Sequence, residues 1–148
     1  MLEKIKHFFD QHIALNDANG DNDKKLKLAS AALLIEMMHT EETDTDKKQR
    51  LIMTLLENSF ALTEEQAIDL MACAEQQRQQ ATDYFEFTHL ISNAFSHDQK
   101  IQLMESLWKI AFVDNNLDLD EEYLIDKIAR LMYIPRAEVL QVRNRLRS

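Results

Sequence analysis

The residues of this chain best suited to chemistry are the acidic side chains between Asp114 and Glu121. Asp114, Asp118, Asp120 and Glu121 fall in that short stretch, and hard divalent cations are bound in proteins by clustered carboxylate and carbonyl oxygens. Since no His or Cys lies among them, magnesium, calcium or manganese suits the stretch better than zinc or copper. Asp114 strengthens the expectation, because a carboxylate in the last turn of a helix faces the negative end of the helix dipole. The stretch predicts a divalent-cation site.

Helix ends and starts explain most of the same residues without a cation. Asp118 followed by Glu121 has the spacing of a capping box, in which both side chains bond to the backbone of a helix start. Asn115 is suited to end the preceding helix, because asparagine tolerates the left-handed backbone conformation found at many helix C-termini. Under this interpretation the turn is structural, and Asp114 alone is left without an explanation.

Glu36 is the second candidate, because it interrupts an apolar helical segment. A carboxylate there is either half-exposed or hydrogen-bonded, since burying an isolated charge is strongly disfavoured, or it acts as a ligand or as a contact with a partner. Glu36 with His39, and Glu86 with His89, also have the Glu-x-x-His spacing of di-iron helical bundles. Helical phase argues against such a centre, because Glu86 and His89 fall opposite the apolar side that contains Phe87.

Helices must position these residues. The chain has one glycine, Gly20, and one proline, Pro135, and this scarcity favours helices with short connections. Apolar residues recur at helical spacing, so the prediction is an all-α fold, a single bundle of seven to eight helices. These helices are predicted over residues 2–12, 24–40 and 44–58 and to begin near residues 63, 83, 96, 118 and 135, with residues 16–23 as a loop. Capping boxes are predicted at the starts marked by Thr63 and Ser96, and the helix over residues 24–40 is predicted to be the central buried one because it is apolar almost all round.

The same helical plan occurs twice along the chain. Residues 32–65 and residues 106–139 each contain an apolar helix, an acidic turn, a second apolar helix and the start of another. Two such hairpins predict a pseudo-symmetric bundle, since a solenoid needs more copies. Residues 1–148 are then one domain with repeat halves at approximately 24–79 and 98–148.

Charge and composition argue against several classes of function. The formal net charge is −9, and an acidic body repels phosphate backbones, so we expect no nucleic-acid binding. Arg136, Arg143, Arg145 and Arg147 make the C-terminal helix basic, either as a patch or as favourable charges near a helix end. One glycine cannot supply a phosphate-binding loop. Because Cys73 is the only cysteine and no apolar run is long enough for membrane insertion, we expect a cytoplasmic protein.

Three segments carry a resemblance to a known family. They are LWKIAFVDNNLDLDE at residues 107–121, YFEFTHLI at residues 84–91 and AALLIE at residues 31–36. Together they resemble the TerB-like family, the helical domain of tellurite-resistance TerB and of some DnaJ-type co-chaperones, and most of all its stand-alone bacterial members. The resemblance covers the chain from about residue 26 onward.

The resemblance also implies which residues would bind a metal. The family turn carries an Asp, and the next helix carries an Asp and a Glu, and these acids are suspected metal ligands. They correspond to Asp114, Asp118 and Glu121 in the second half of this chain, with Glu36 and Glu41 as the candidates in the first half. The metal implied is calcium, magnesium or manganese.

The chain departs from the family pattern in two places. Asn115 replaces the glycine of the turn, and in the first half Glu41 stands where the family has an Asp. The two later acidic positions of the first half are filled by Thr45 and Lys48 in one register of the repeat, or by Asp44 and Lys47 in the other. These departures count against a metal site built equally from both halves.

The resemblance favours a non-enzymatic interaction or sensing domain linked to tellurite or general stress resistance, with a protein partner. A divalent cation bound at the acidic inter-helix turn would be its cofactor. Two alternatives stay open, namely a metal-dependent enzyme that uses the same acidic residues and a helical scaffold without a ligand. The sequence does not specify the oligomeric state.

Overall fold

Seven α-helices make up the described part of the chain, which is residues 20–39, 45–80, 85–113 and 119–147 of a computed structural model. No strand occurs within these ranges, so the predicted all-α fold is confirmed. The helix predicted over residues 2–12 lies outside them. In chain order the helices are α1 (Gly20–Glu36), α2 (Thr45–Phe60), α3 (Glu64–Gln80), α4 (Phe85–Ala94), α5 (His97–Ala111), α6 (Leu119–Leu131) and α7 (Arg136–Arg147).

The first central element is α1, which packs against α2, α3, α4 and α5. Its apolar residues, such as Leu33 and Ile35, are buried on nearly every side, as predicted for the central helix. It begins at Gly20, so the predicted loop was wrong over residues 20–23. A short 3-10 turn, Met37–His39, follows its end.

The second central element is α5, which packs against α6 and α7 as well as against α1 and α2. Ser96 caps its start in the predicted way: Gln99 N–H donates to Ser96 Oγ at 3.2 Å, and Ser96 N–H donates to Gln99 Oε1 at 2.8 Å. This capping box satisfies backbone donors that have no partner inside the helix. Leu107 and Trp108 then bring the inner side of α5 into the core.

Two inter-helix turns have the same geometry. After α2, Ala61 has φ of 54°, and Leu62 N–H donates to Glu57 O at 3.0 Å. After α6, Tyr133 has φ of 60°, and Ile134 N–H donates to Ala129 O at 2.9 Å. A left-handed residue followed by this backward hydrogen bond is the Schellman helix end. The similarity of the two turns agrees with an internal repeat, which stays a prediction.

One buried apolar cluster joins residues from both predicted halves, among them Leu33 of α1, Leu107 of α5 and Ile125 of α6. Glu36 of α1 and Glu121 of α6 are therefore held by helices that share this core. Within the described ranges, no helix has both the length and the apolar character needed to cross a membrane.

Candidate functional site

Two of the five predicted metal ligands, Glu36 and Glu121, belong to the described residues. Asp114, Asp118 and Glu41 lie outside them, so the acidic-turn site stays a prediction. Both described carboxylates are engaged by basic side chains near the end of α1. Glu36 binds Arg78, and Glu121 pairs with a lysine that also binds the carbonyl of Met37, the residue after Glu36.

Glu121 is buried because of its position on α6. It is in phase with Ile125 and Ile128, which are also buried, so the three side chains lie on the side of the helix that faces the core. Its carboxylate is 1% exposed, and Oε2 lies 3.2 Å from Lys48 Nζ. Glu121 therefore forms a buried ion pair, and the Asp118 half of its predicted capping box lies outside the described residues.

Lys48 reaches this carboxylate from α2. It precedes Ile52 and Leu56 by one and two helical turns, and all three side chains are buried. The Lys48 side chain is 0% exposed, and Nζ donates a hydrogen bond to Met37 O at 3.2 Å. One ammonium group thus connects α2, α6 and the 3-10 turn after α1. A buried charge persists only when it is paired and hydrogen-bonded in this way.

The Lys48 ammonium decides what chemistry Glu121 can perform. A positive charge 3.2 Å from the carboxylate neutralises it and would repel a divalent cation at the same oxygen. Among the described residues, no group of three or more His, Cys, Asp and Glu side chains is arranged to hold a metal ion. The described surroundings of Glu121 do not fit a divalent cation while Lys48 is in place.

Glu36 belongs to a second, partly exposed cluster. Arg78 of α3 donates from Nη1 to Glu36 Oε1 at 3.2 Å, and it binds Glu75 through Nη2 at 2.8 Å and Nε at 3.2 Å. His39 Nε2 lies 3.5 Å from Glu75 Oε2. The hydrogen bonds from Arg78 lower the pKa of Glu75, although partial burial acts in the opposite direction. Glu36 is thus a paired carboxylate, and Arg78 joins α1 to α3.

The second Glu-x-x-His pair lies where helical phase predicts it. Glu86 and His89 are exposed on α4, whereas Phe87 and Ile91 on the other side are buried. His89 Nε2 lies 3.1 Å from Asn93 Nδ2 on the exposed side. Because a di-iron centre needs both pairs directed into the bundle, this arrangement does not provide one.

Three of the four C-terminal arginines have acidic partners. The ion pairs are Arg136 with Asp126 at 2.7 Å, Arg143 with Glu122 at 3.4 Å and Arg145 with Glu105. They tie α7 to α6 and α5 and compensate much of the positive charge of this helix. Of the two interpretations left open by the sequence, the geometry favours a helix with compensated charges over a free basic patch.

Two exposed apolar side chains lie next to each other on α6. Leu119 is 79% exposed and Tyr123 is 63% exposed, and the two lie one helical turn apart. We call this pair the α6 outer face. Tyr133, at the left-handed position after α6, is more exposed still. The α6 outer face lies on the helix that contributes Glu121 to the buried ion pair.

Sequence reasoning missed the roles of both basic partners, Lys48 and Arg78. A signal for Lys48 was present, since its spacing from Ile52 and Leu56 places it on an apolar helix face. For Arg78 the only signal was Glu75 one turn earlier, a spacing that is common on solvated helices. Cys73 is half-buried, and burial raises the pKa of its thiol, with a smaller contribution from Asp69. This thiol is therefore not activated as a nucleophile.

Comparison with models of protein families gave a match over most of the chain. A family model described as "Tellurite resistance protein TerB" matches residues 27–144, which include α2 to α6, most of α1 and most of α7. Comparison with curated proteins and with solved structures gave no match.

Proposed function

The chain belongs to the TerB family of tellurite resistance proteins, and we propose that it acts in tellurite or general stress resistance as a non-enzymatic domain that binds a protein partner. The matched region takes in every helix that contributes to the two carboxylate clusters and to the α6 outer face. Family membership supports the link to tellurite, and the properties of the surface support an interaction role.

The observation that carries the proposal is the α6 outer face. Leu119 and Tyr123 expose large apolar side chains on a helix whose other side is packed into the core. Leaving two such side chains in water one turn apart gives up stabilisation that burial would provide, about 1.5–3 kcal/mol for each full side chain. Exposed apolar side chains that lie next to each other can form a contact with another protein.

The charge of the chain indicates the chemistry of the partner. The formal net charge is −9, and Asp120 lies exposed between Leu119 and Tyr123 in the sequence. A partner with apolar side chains flanked by Lys or Arg would match both the apolar and the acidic character of this face. We expect such a partner to bind less tightly as the salt concentration rises.

The carboxylate clusters agree with a non-enzymatic role. Glu121 and Glu36 are each held by a basic side chain, which would have to move before a metal ion could bind at the same oxygen. The alternative of a metal-dependent enzyme rests on Asp114 and Asp118, which lie outside the described residues.

Complementation tests the proposal. A strain that lacks the gene is made to express the wild type, the double variant Leu119→Ser with Tyr123→Ser, or the control variant Ile68→Ser, and growth on tellurite is measured. Ile68 is also an exposed apolar residue but lies on α3. We expect the wild type and the control to restore growth and the double variant to fail, although all three unfold at similar temperatures.

Full rescue by the double variant would show that the α6 outer face is not needed. Turnover of a phosphoester or a peptide by the purified wild type, lost in Asp114→Ala with Asp118→Ala, would instead support the enzyme alternative and overturn the proposal.

A further inference from the structure

We infer that the Lys48 ammonium is the built-in cation of the junction between α1, α2 and α6, and that it takes the place of a divalent cation at Glu121. The positive charge that balances the Glu121 carboxylate is thus supplied by a side chain of the protein. This inference does not depend on the proposed interaction function, since it concerns the interior of the bundle.

The contacts of Lys48 Nζ resemble those of a cation site. Nζ lies 3.2 Å from Glu121 Oε2 and 3.2 Å from Met37 O, so a carboxylate and a main-chain carbonyl share one positive charge. These two oxygen types are the ligands that calcium and magnesium take in proteins. Met37 follows the last residue of α1, where carbonyl groups form the negative end of the helix dipole. Two oxygens that would attract an ion, Glu121 Oε2 and Met37 O, thus already lie beside the ammonium.

Lys48 and Glu121 also hold equivalent positions on their helices. On α2 the buried residues Lys48, Ile52 and Leu56 are four apart, and on α6 Glu121, Ile125 and Ala129 have the same spacing. In the register of the predicted repeat that aligns Glu41 with Asp114, Lys48 aligns with Glu121. In that register the buried pair joins two corresponding positions.

A carboxylate at both positions would make the junction depend on a cation. Two carboxylates facing each other in this buried junction could not both stay ionised without a metal ion between them, and otherwise one of them would bind a proton. With lysine at position 48, the pair with Glu121 is neutral without a bound proton or metal ion. A divalent cation could bind Glu121 Oε2 and Met37 O together only if the fully buried Lys48 side chain left its place, so we expect the wild-type junction to be insensitive to divalent cations.

The variant Lys48→Glu tests this inference, with Lys47→Glu as the control for the same change of charge on an exposed neighbour. The unfolding temperature is measured in calcium, magnesium or manganese and in a chelator. We expect no cation-dependent shift for the wild type or for Lys47→Glu. For Lys48→Glu we expect a rise of about 5–10 °C at cation concentrations near one hundred times the Kd.

Two results would overturn the inference. One is a cation-dependent rise for the wild type that disappears in Glu121→Gln, because Glu121 would then bind a metal despite Lys48. The other is a folded Lys48→Glu variant that does not respond to any of the three cations, because the junction would then have no capacity for a metal ion.

If Lys48→Glu does not fold in the chelator, the measurement becomes recovery of the helical circular dichroism signal on addition of cation, and such recovery supports the inference. If it stays unfolded in every cation, Lys48→Gln decides, because that variant leaves Glu121 charged without adding a second carboxylate. Stabilisation of Lys48→Gln by a divalent cation supports the inference, and its absence overturns it.

Discussion

Two acidic residues near the end of α1 have similar basic partners but very different access to water. Glu121 and Lys48 are 1% and 0% exposed, whereas Glu36 and Arg78 are 14% and 18% exposed. In the sequence both acids looked like metal ligands. In the structure, each is neutralised by a basic residue from a helix distant in the chain.

The difference in exposure determines how strongly the fold depends on each pair. In a dry interior an ion that loses its partner cannot be solvated, so removing one member of a buried pair costs about 3–5 kcal/mol. Near the surface, water replaces much of what a lost partner supplied, and an exposed pair contributes about 0–1 kcal/mol. We therefore expect the loss of either member of the Lys48–Glu121 pair alone to destabilise the fold strongly. Changes in the Arg78 cluster should have a smaller effect on the free energy of unfolding.

The largest expected effect is that of Lys48→Met. This change leaves the Glu121 carboxylate buried without its counter-charge and should lower the free energy of unfolding by about 3–5 kcal/mol. Adding Glu121→Leu should recover most of the loss, because a well-packed apolar pair of similar volume can replace a buried ion pair. Urea unfolding followed by circular dichroism measures both changes.

Lys47→Met is the matched control, since Lys47 is the exposed neighbour of Lys48 on α2. We expect it to change the free energy of unfolding by less than about 0.5 kcal/mol. Equal losses for Lys47→Met and Lys48→Met, or a double variant no more stable than Lys48→Met, would contradict the special role of the buried pair.

The features that sequence predicted well are those set by nearby residues. The capping boxes at Ser96 and Thr63 follow from side chains three residues apart that bond to each other's backbone, and both are present. The central position of α1 follows from apolar residues around the whole helix. The start of α1 was harder to predict, because asparagine, aspartate and glycine occur both in loops and at helix starts.

The partners of the acidic residues could not be predicted in the same way. Which basic residue meets Glu121 depends on how α2 crosses α6, and no local pattern contains that information. Lys48 and Glu121 are each in phase with apolar residues on their own helices, which indicates that both side chains are buried. Because buried charged residues are usually paired, the two patterns together could have suggested an ion pair. The sequence favoured a cation at Glu121 because the spacing of the acidic residues is visible in it. The approach of the Lys48 ammonium to Glu121 is visible only in the structure.

A smaller effect is expected for Arg78→Met, which breaks the partly exposed cluster. It removes the hydrogen bonds to Glu36 and Glu75, and charge-assisted hydrogen bonds are worth more than exposed ion pairs, so we expect a loss of about 1–2 kcal/mol. Arg136→Met serves as the control, because Arg136 has one acidic partner and a much more exposed side chain. Urea unfolding of both variants should show the larger loss for Arg78→Met, and a loss equal to that of Lys48→Met would contradict the contrast between the two clusters.

The smallest expected effect is a dependence on acid pH that comes from the partly exposed cluster. Hydrogen bonds from Arg78 lower the pKa of Glu75 from its ordinary value of 4.5, with a further contribution from His39. The folded state therefore binds the Glu75 proton less readily than the unfolded state does. It follows that the stabilisation due to Glu75 is fully present above pH 4.5 and is lost as the pH falls through the folded-state pKa.

Comparing the wild type with Glu75→Gln isolates this contribution from that of the other carboxyl groups. We expect the difference in their free energies of unfolding to be constant from about pH 7 to about pH 5 and to shrink at lower pH, because only the wild type has a Glu75 carboxylate to protonate. Urea unfolding at a series of pH values measures the difference. If it stayed the same down to about pH 3, Glu75 would not be the group that titrates, and the partly exposed cluster would be as insensitive to acid as an apolar contact.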